Sequence, residues 1–298
     1  MHRLLFWREK DAVKGDIQSP DVAWIAADLA PGDAAVSRFD RSAIRVRRIR
    51  STDDPRFAAA YERLWVEFGD RREMEAREVI ESRLAWEPTR PIGRYRYLYE
   101  MLVVEHEGDP IGVRDHTAIA PAGTSPLPIP VLVHLSHVFV EPRWRGKGIA
   151  GWLRAFPLQA ARECAGAVGG STGSITLVAE MEAEAESDVA TLRRLVSYGK
   201  AGFRKIDPTR VDYAQPDFRN PTAIDESGLQ PVPLSLVIRR VGREVECQIR
   251  GAEVRAIVAA LYDMFGVHMR PKDMVALWAR CEGLPQPELV LDLVNPSG

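Results

Sequence analysis

The run at residues 138–153, VFVEPRWRGKGIAGWL, holds the densest chemistry in the chain. A β-rich stretch ends near Val140, a basic turn containing Gly146 and Gly148 follows, and an apolar helical pattern then begins. Glycine lets the backbone come close to a ligand, and the first N–H groups of a helix have no acceptor inside it. The helix dipole favours an anion at such a place, and Arg143, Arg145 and Lys147 add positive charge. A pyrophosphate suits this turn. Glu141 and Gly148 stand where a P-loop requires Gly and Ser or Thr, which removes that reading. Gly146, Gly148 and Gly151 spell G-x-G-x-x-G. In a dinucleotide fold, however, the first Gly follows the strand almost directly, whereas residues 141–145 intervene here. A basic strand-to-helix turn without a ligand is the plain alternative.

The elements that must position this turn follow from periodicity. Residues 1–43 read as an irregular arm, with a short β-like run at 22–25 between Pro and Gly breakers. Residues 44–49 alternate as a strand, and Phe57, Ala60, Tyr61, Leu64, Trp65 and Phe68 recur at helical spacing. A second helix is predicted over 74–86. Strands at 97–105 and 110–119 flank a turn at Glu107-Gly108-Asp109, and a Pro-rich loop leads to a third long strand over 131–140. One helix over 148–164, a Gly/Ser loop at 166–173, a buried strand at 175–179 and a helix at 188–200 closed by Gly202 come next. Strands at 203–213 and 234–241 and helices at 251–265 and 272–280 complete the pattern. Helices mixed with hairpins predict an α/β (α+β mixed) sheet rather than a repetitive βαβ fold. The expected division is an arm at 1–43, a core domain at 44–241 and a helical C-terminal extension at 242–298.

Composition narrows the function classes. With 298 residues, 40 Lys+Arg against 42 Asp+Glu and a formal charge of −2, no basic field points to nucleic acid or an anionic membrane. Cys164, Cys247 and Cys281 form neither a disulfide framework nor a zinc signature. No apolar run reaches the roughly 7–15 residues of a signal peptide or the roughly 18 of a span. The expectation is a soluble cytoplasmic protein with no nucleic-acid or membrane partner.

The pattern Val140-x-Pro142-x-x-Arg145-x-x-Gly148-x-Ala150 resembles the acyl-CoA-binding signature of the GNAT family of N-acetyltransferases: Arg or Gln, two residues, Gly, one residue, Gly or Ala. Arg143-x-x-Gly146-x-Gly148 fits formally, and the preceding Val-x-Pro favours Arg145. A second run, Tyr198 to Gly202-Phe203, is similar to the family's later signature of Tyr, three residues and Gly-Phe, which closes the helix after the fifth strand. Thr191 and Arg194 depart from the Asn and Ala that many members carry there. The resemblance spans 44–241, roughly two-thirds of the chain.

The resemblance implies a GNAT-like central mixed, mostly antiparallel sheet with flanking helices. It implies acetyl-CoA as co-substrate between two splayed central strands, and direct acetyl transfer to a primary amine of a small-molecule or peptide acceptor. Arg145, Gly146, Lys147, Gly148, Ile149 and Ala150 would cradle the pyrophosphate, and backbone N–H groups of Val138 and Val140 would hold the oxyanion. Tyr198, protonated at neutral pH when unperturbed, would give a proton to the departing thiolate. No metal is implied, since the thioester is already activated. The alternative is a non-catalytic GNAT-like CoA-binding or regulatory module.

An amine must lose a proton before it attacks a thioester. Strict alternation puts His134 and His137 on opposite faces of their strand, so one alone faces a given cleft unless a bulge shifts the register. His134 lies eleven residues before Arg145, the spacing of the Glu base in the histone-acetylating branch of the family, and is the candidate base. Asp115 and His116 come next. Glu180, Glu182, Glu184 and Glu186 read as an acidic rim for a cationic amine or as a solvated strand end. The apolar stripe from Val254 to Phe265 predicts packing on the core or a homodimer contact.

Overall fold

The computed structural model describes residues 22–123, 130–167, 173–182 and 189–296. The arm residues 1–21, the tip of the Pro-rich loop, most of the Gly/Ser loop and the acidic residues Glu184 and Glu186 lie outside the described residues.

The alternating run after the arm forms β1 (Ile44–Ile49), which pairs antiparallel with β2 (Tyr95–His106). β2 returns as β3 (Asp109–Pro121) through a two-residue turn in which Glu107 (φ 53°) and Gly108 (φ 85°) are both left-handed. That turn matches the right-handed twist of the hairpin it joins. β3 then pairs with β4 (Val131–His134) and, further along, with β5 (Val138–Val140). β4 runs parallel to β6 (Ile175–Met181), so the chain between them must cross over. Among the described residues the strand order is completed by β10 (Ser235–Arg240), β7 (Arg204–Ile206), β12 (Val290–Val294) and β11 (Gln248–Arg250). β8 (Ala214–Gln215) and β9 (Val232–Pro233) pair separately. The sheet is mixed and mostly antiparallel, as expected.

Helices cover both faces. On one face α2 (Phe57–Phe68), α3 (Arg77–Leu84), α8 (Gly251–Gly266) and α9 (Pro271–Arg280) bury their apolar stripes in one core with Tyr97, Tyr99, Leu132 and Val178. On the other lie α4 (Ile149–Ala155), α5 (Pro157–Gly166), α6 (Val189–Lys200) and α1 (Pro31–Ala34) of the arm. α7 (Pro221–Ser227) lies in the long connection before β9. No helix among the described residues is long and apolar enough to cross a membrane.

Several elements differ from expectation for identifiable reasons. The single helix over 148–164 is two, because Pro157 lacks an N–H and opens a new first turn instead. The helix expected from Met74 begins at Arg77, with Met74 and Glu75 buried ahead of it. The strand over 203–213 stops at Ile206, where Asp207 accepts from the N–H of Thr209 at 2.9 Å and turns the chain. Residues 22–25 form no strand. The tail carries its two helices and also β12, whose Leu293 pairs with Ile206 and so extends the central sheet.

The described part of the arm is built into the fold. Leu29, Ala30 and Asp33 are buried, and Asp33 forms a buried ion pair with Arg154 of α4. Trp24 packs edge-on against Trp152 and Phe156 at 4.8 and 5.0 Å between ring centroids.

Candidate active site

At the glycine turn, Gly146 (φ 73°) and Gly148 (φ 98°) take left-handed backbone that only glycine adopts freely. As a result, the N–H groups of residues 146–150 find no acceptor among the described residues. A concave row of open amides is an anion-binding surface. Arg145 is exposed but donates from Nε to the carbonyl of Val140 at 2.9 Å, and the exposed Lys147 has its Nζ 4.5 Å from the ring centroid of Trp144. This donor set fits a pyrophosphate. The arm imposes a limit on one side: a Cβ on Gly148 would lie 2.6 Å from Ser37 Cα, and one on Gly151 would lie 2.7 Å from Asp33 Cβ.

The strand expected over 131–140 is interrupted. Thr117 pairs with His134 and Arg114 with Val138, so Leu135, Ser136 and His137 stand opposite only Asp115 and His116. This is a one-residue β-bulge, and it reverses the side-chain parity of β5 relative to β4. The last bond tying this strand to β6 runs from Leu135 N–H to the carbonyl of Val178 at 2.8 Å. Beyond it, among the described residues, β5 pairs with β3 alone, so its edge toward β6 is a gap left without a described partner. Bonds at the pairs Asp115 with His137 and Ile111 with Glu141 fix the ladder parity. By that alternation the N–H groups of Val138 and Val140 point away from β3, toward the gap.

The bulge also places both histidines on the α2–α8 face. His134 meets Phe265 edge-on at 5.5 Å, and His137 packs on Phe68 at 5.0 Å. The expectation that they face oppositely is corrected by that one extra residue. Their surroundings differ. His137 Nδ1 bonds Asp115 Oδ1 at 3.0 Å and its Nε2 donates to the carbonyl of Glu73 at 2.9 Å. Burial works against the imidazolium, but the Asp115 carboxylate outweighs it and raises His137 to about 9. Burial likewise raises Asp115, and His137 overrides it to hold the carboxyl at about 2. A charged histidine with both nitrogens engaged is no general base at neutral pH. Asp115 is also taken, since it accepts from Tyr99 OH at 3.0 Å. His116 lies on the opposite face against Glu100 at 3.2 Å, its pKa lowered by burial.

His134 has a different set of partners. Its Nε2 lies 2.7 Å from Glu180 Oε2, and its Nδ1 lies 3.1 Å from Ser136 Oγ. Tyr213 OH donates to the other Glu180 oxygen at 2.7 Å. With Nε2–H donated to Glu180, Nδ1 is left to accept from Ser136. The next acidic residue, Glu182, is bound to Arg194 at 2.8 Å, and Arg194 also donates to Thr191. The two departures from the family pattern thus bond one another. They leave Glu182 ion-paired and not a free acidic rim.

α6 brings Tyr198 to the other side of the gap. The helix closes as the motif suggested: Gly202 (φ 79°) allows Phe203 N–H to reach the carbonyl of Tyr198 at 3.0 Å. Tyr198 is 5% exposed. Its hydroxyl accepts from Arg114 Nη2 at 3.5 Å, beside the strand pair Arg114–Val138. Arg114 is fully buried, and its Nε and Nη1 have no partner among the described residues.

His134 and its partners therefore lie on the α2–α8 side of the point where pairing with β6 ends, Tyr198 lies on the opposite side beside the Arg114–Val138 pair, and residues 145–150 form the turn beyond β5. Ser136, Glu180 and Tyr213 belong to the same cluster as His134; the sequence singles out neither Ser136 nor Tyr213, and Glu180 reads there only within an acidic rim or solvated strand end. For Ser136 and Glu180 the signal was weak: a hydroxyl two residues from the candidate base and a carboxylate one residue past the buried strand run.

No protein-family model and no curated protein matches the chain. Among solved structures it is similar to an IAA acetyltransferase from Bacillus cereus, at 16% identity and a TM-score of 0.35, over 66% of this chain and 99% of that one. It is also similar to a GNAT family acetyltransferase from Elizabethkingia anophelis with acetyl-CoA bound, at 14% identity and a TM-score of 0.38, over 66% and 98%. A putative acetyltransferase from Salmonella typhimurium with its cofactor acetyl-CoA matches at 18% identity and a TM-score of 0.37, over 67% and 94%.

Proposed function

We propose that the chain is an acetyl-CoA-dependent N-acetyltransferase acting on a primary amine. The observation that carries this reading is the gap beside the bulge. The amides of Val138 and Val140, with no acceptor among the described residues, face it, the His134–Glu180 pair stands at its closed end, and Tyr198 approaches from the opposite helical layer. The open amides of residues 146–150 hold the pyrophosphate. The amides at the gap accept the negative charge that develops on the thioester oxygen, where fixed donors act most strongly. Tyr198 supplies the proton that the departing sulfur needs, and His134, oriented by Glu180, takes by way of the Ser136 hydroxyl the proton that the amine must lose. Phe68, Phe218 and Phe265 lie on the acceptor side of the sheet.

The first test is calorimetric titration with acetyl-CoA, with NADH as control. Binding of acetyl-CoA alone is expected. A Cβ at Gly146 would meet no atom within 4 Å, so a side chain there disturbs only a ligand. Asn tolerates left-handed backbone, and Gly146→Asn should weaken acetyl-CoA binding at least about tenfold. Unchanged affinity would remove the turn from the site. Tyr198→Phe should lower turnover about 10²-fold with affinity retained; unchanged turnover would remove Tyr198 from the reaction.

A further inference from the structure

Both ring nitrogens of His134 are engaged within the protein, so what it presents to the gap is the hydroxyl of Ser136. Ser136 is the first residue past the last bond between this strand and β6, at the point where the gap opens. Its side chain is half-buried, whereas His134 is 3% exposed. A hydroxyl within hydrogen-bond reach of an imidazole, itself oriented by a carboxylate, is the arrangement that activates an oxygen nucleophile. The support continues outward, because Tyr213 fixes the far oxygen of Glu180 and Phe265 fixes the ring of His134. Two residues further on, the N–H of Val138 points into the same gap.

We propose that Ser136 is a nucleophile that takes the acyl group, so that the chain cleaves short acyl thioesters through an acyl-serine and passes the group on from there. This rests on the acyl-CoA reading of the site, replaces its direct transfer with two steps and gives the proton donation to sulfur to His134 in place of Tyr198. Ser136 Oγ bonds to the thioester carbonyl carbon while its proton passes to His134 Nδ1, and the amides at the gap hold the oxyanion. The C–S bond then breaks with its electron pair on sulfur, which takes the proton from His134 and leaves as free thiol. In the second step an amine attacks the ester and gives the amide, or water attacks and gives the carboxylic acid. His134 accepts the attacking group's proton and returns it to Ser136.

The test uses the full chain and acetyl-CoA without any amine, followed by acid quench, intact mass and peptide mapping, with thiol release measured in parallel. The expected result is one acetyl group on Ser136 and slow thiol release, both lost in Ser136→Ala while acetyl-CoA affinity stays within about twofold. Ser136→Cys should retain the adduct as a thioester. Wild-type protein that acetylates an amine but carries no adduct, or Ser136→Ala that acetylates at the wild-type rate, would overturn the proposal and leave direct transfer standing. Absence of acetyl-CoA binding and of thiol release in every form would overturn the acyl-CoA reading itself.

Discussion

Replacing the buried His137–Asp115 pair should flatten the alkaline stability profile of the protein. In the unfolded chain His137 has its ordinary value of 6.5, and in the folded protein the Asp115 carboxylate raises it to about 9. At about 1.4 kcal/mol per pH unit, that difference corresponds to about 3 kcal/mol. Because the folded value is the higher one, this stability is fully present below pH 6.5 and is lost as the pH rises through about 9. The lowering of Asp115 to about 2 describes the same pair from its other end and is not added. Its own loss falls on the acid side, as the pH drops from the ordinary 3.8 through about 2. The assay is urea unfolding of the wild type and of the Asp115→Asn/His137→Gln double variant, from about pH 6 to about pH 10. Other groups titrate in both proteins, so the difference between the two curves isolates the pair. The wild type should lose about 3 kcal/mol more than the variant over this range. Parallel curves would show that His137 is not held as an imidazolium, and would return it to candidacy as the base.

Asp33→Ala leaves Arg154 buried without its carboxylate and should cost about 3–5 kcal/mol in chemical denaturation. Adding Arg154→Met should recover most of that loss; a loss below about 1 kcal/mol for Asp33→Ala would show that the arm is not seated on α4. Glu180→Gln removes the group that orients His134 and should lower turnover about 10²-fold with acetyl-CoA affinity unchanged, read by steady-state rates and calorimetry. A matching loss of affinity would place Glu180 in the binding of acetyl-CoA instead.

Much of the fold was legible because its elements are local. The alternation in β1, the turn at Glu107-Gly108 and the stripe of α2 are each decided by residues close in sequence. The failures are of a different kind. Pro157 divides a continuous apolar helix pattern, and periodicity carries no record of where a helix is cut. β12 is a strand because β7 offers it an edge, which only the assembled sheet provides. The arm reads as irregular, yet Asp33 faces Gly151 and Gly32 abuts the backbone of Lys200. Those contacts join residues more than a hundred positions apart.

The site divides along the same line. Tyr198 and the glycine turn stand out because their backbone requirements, left-handed glycines at a helix start and a helix end, are written in residue type. The assignment of the base turned instead on one extra residue between His134 and Val138. Period-two reasoning gives each face of a regular strand one histidine. With three residues opposite two, both reach the same face, and chemistry then separates them by partner. His137 meets Asp115, which sits beside it in the hairpin and holds it charged. His134 meets Glu180 and Ser136, one from β6 and one from the bulge. The bulge that misplaced the histidines in a sequence reading is also what ends pairing with β6 and opens the gap. The same irregularity therefore creates the space for a substrate and puts Ser136 at its edge.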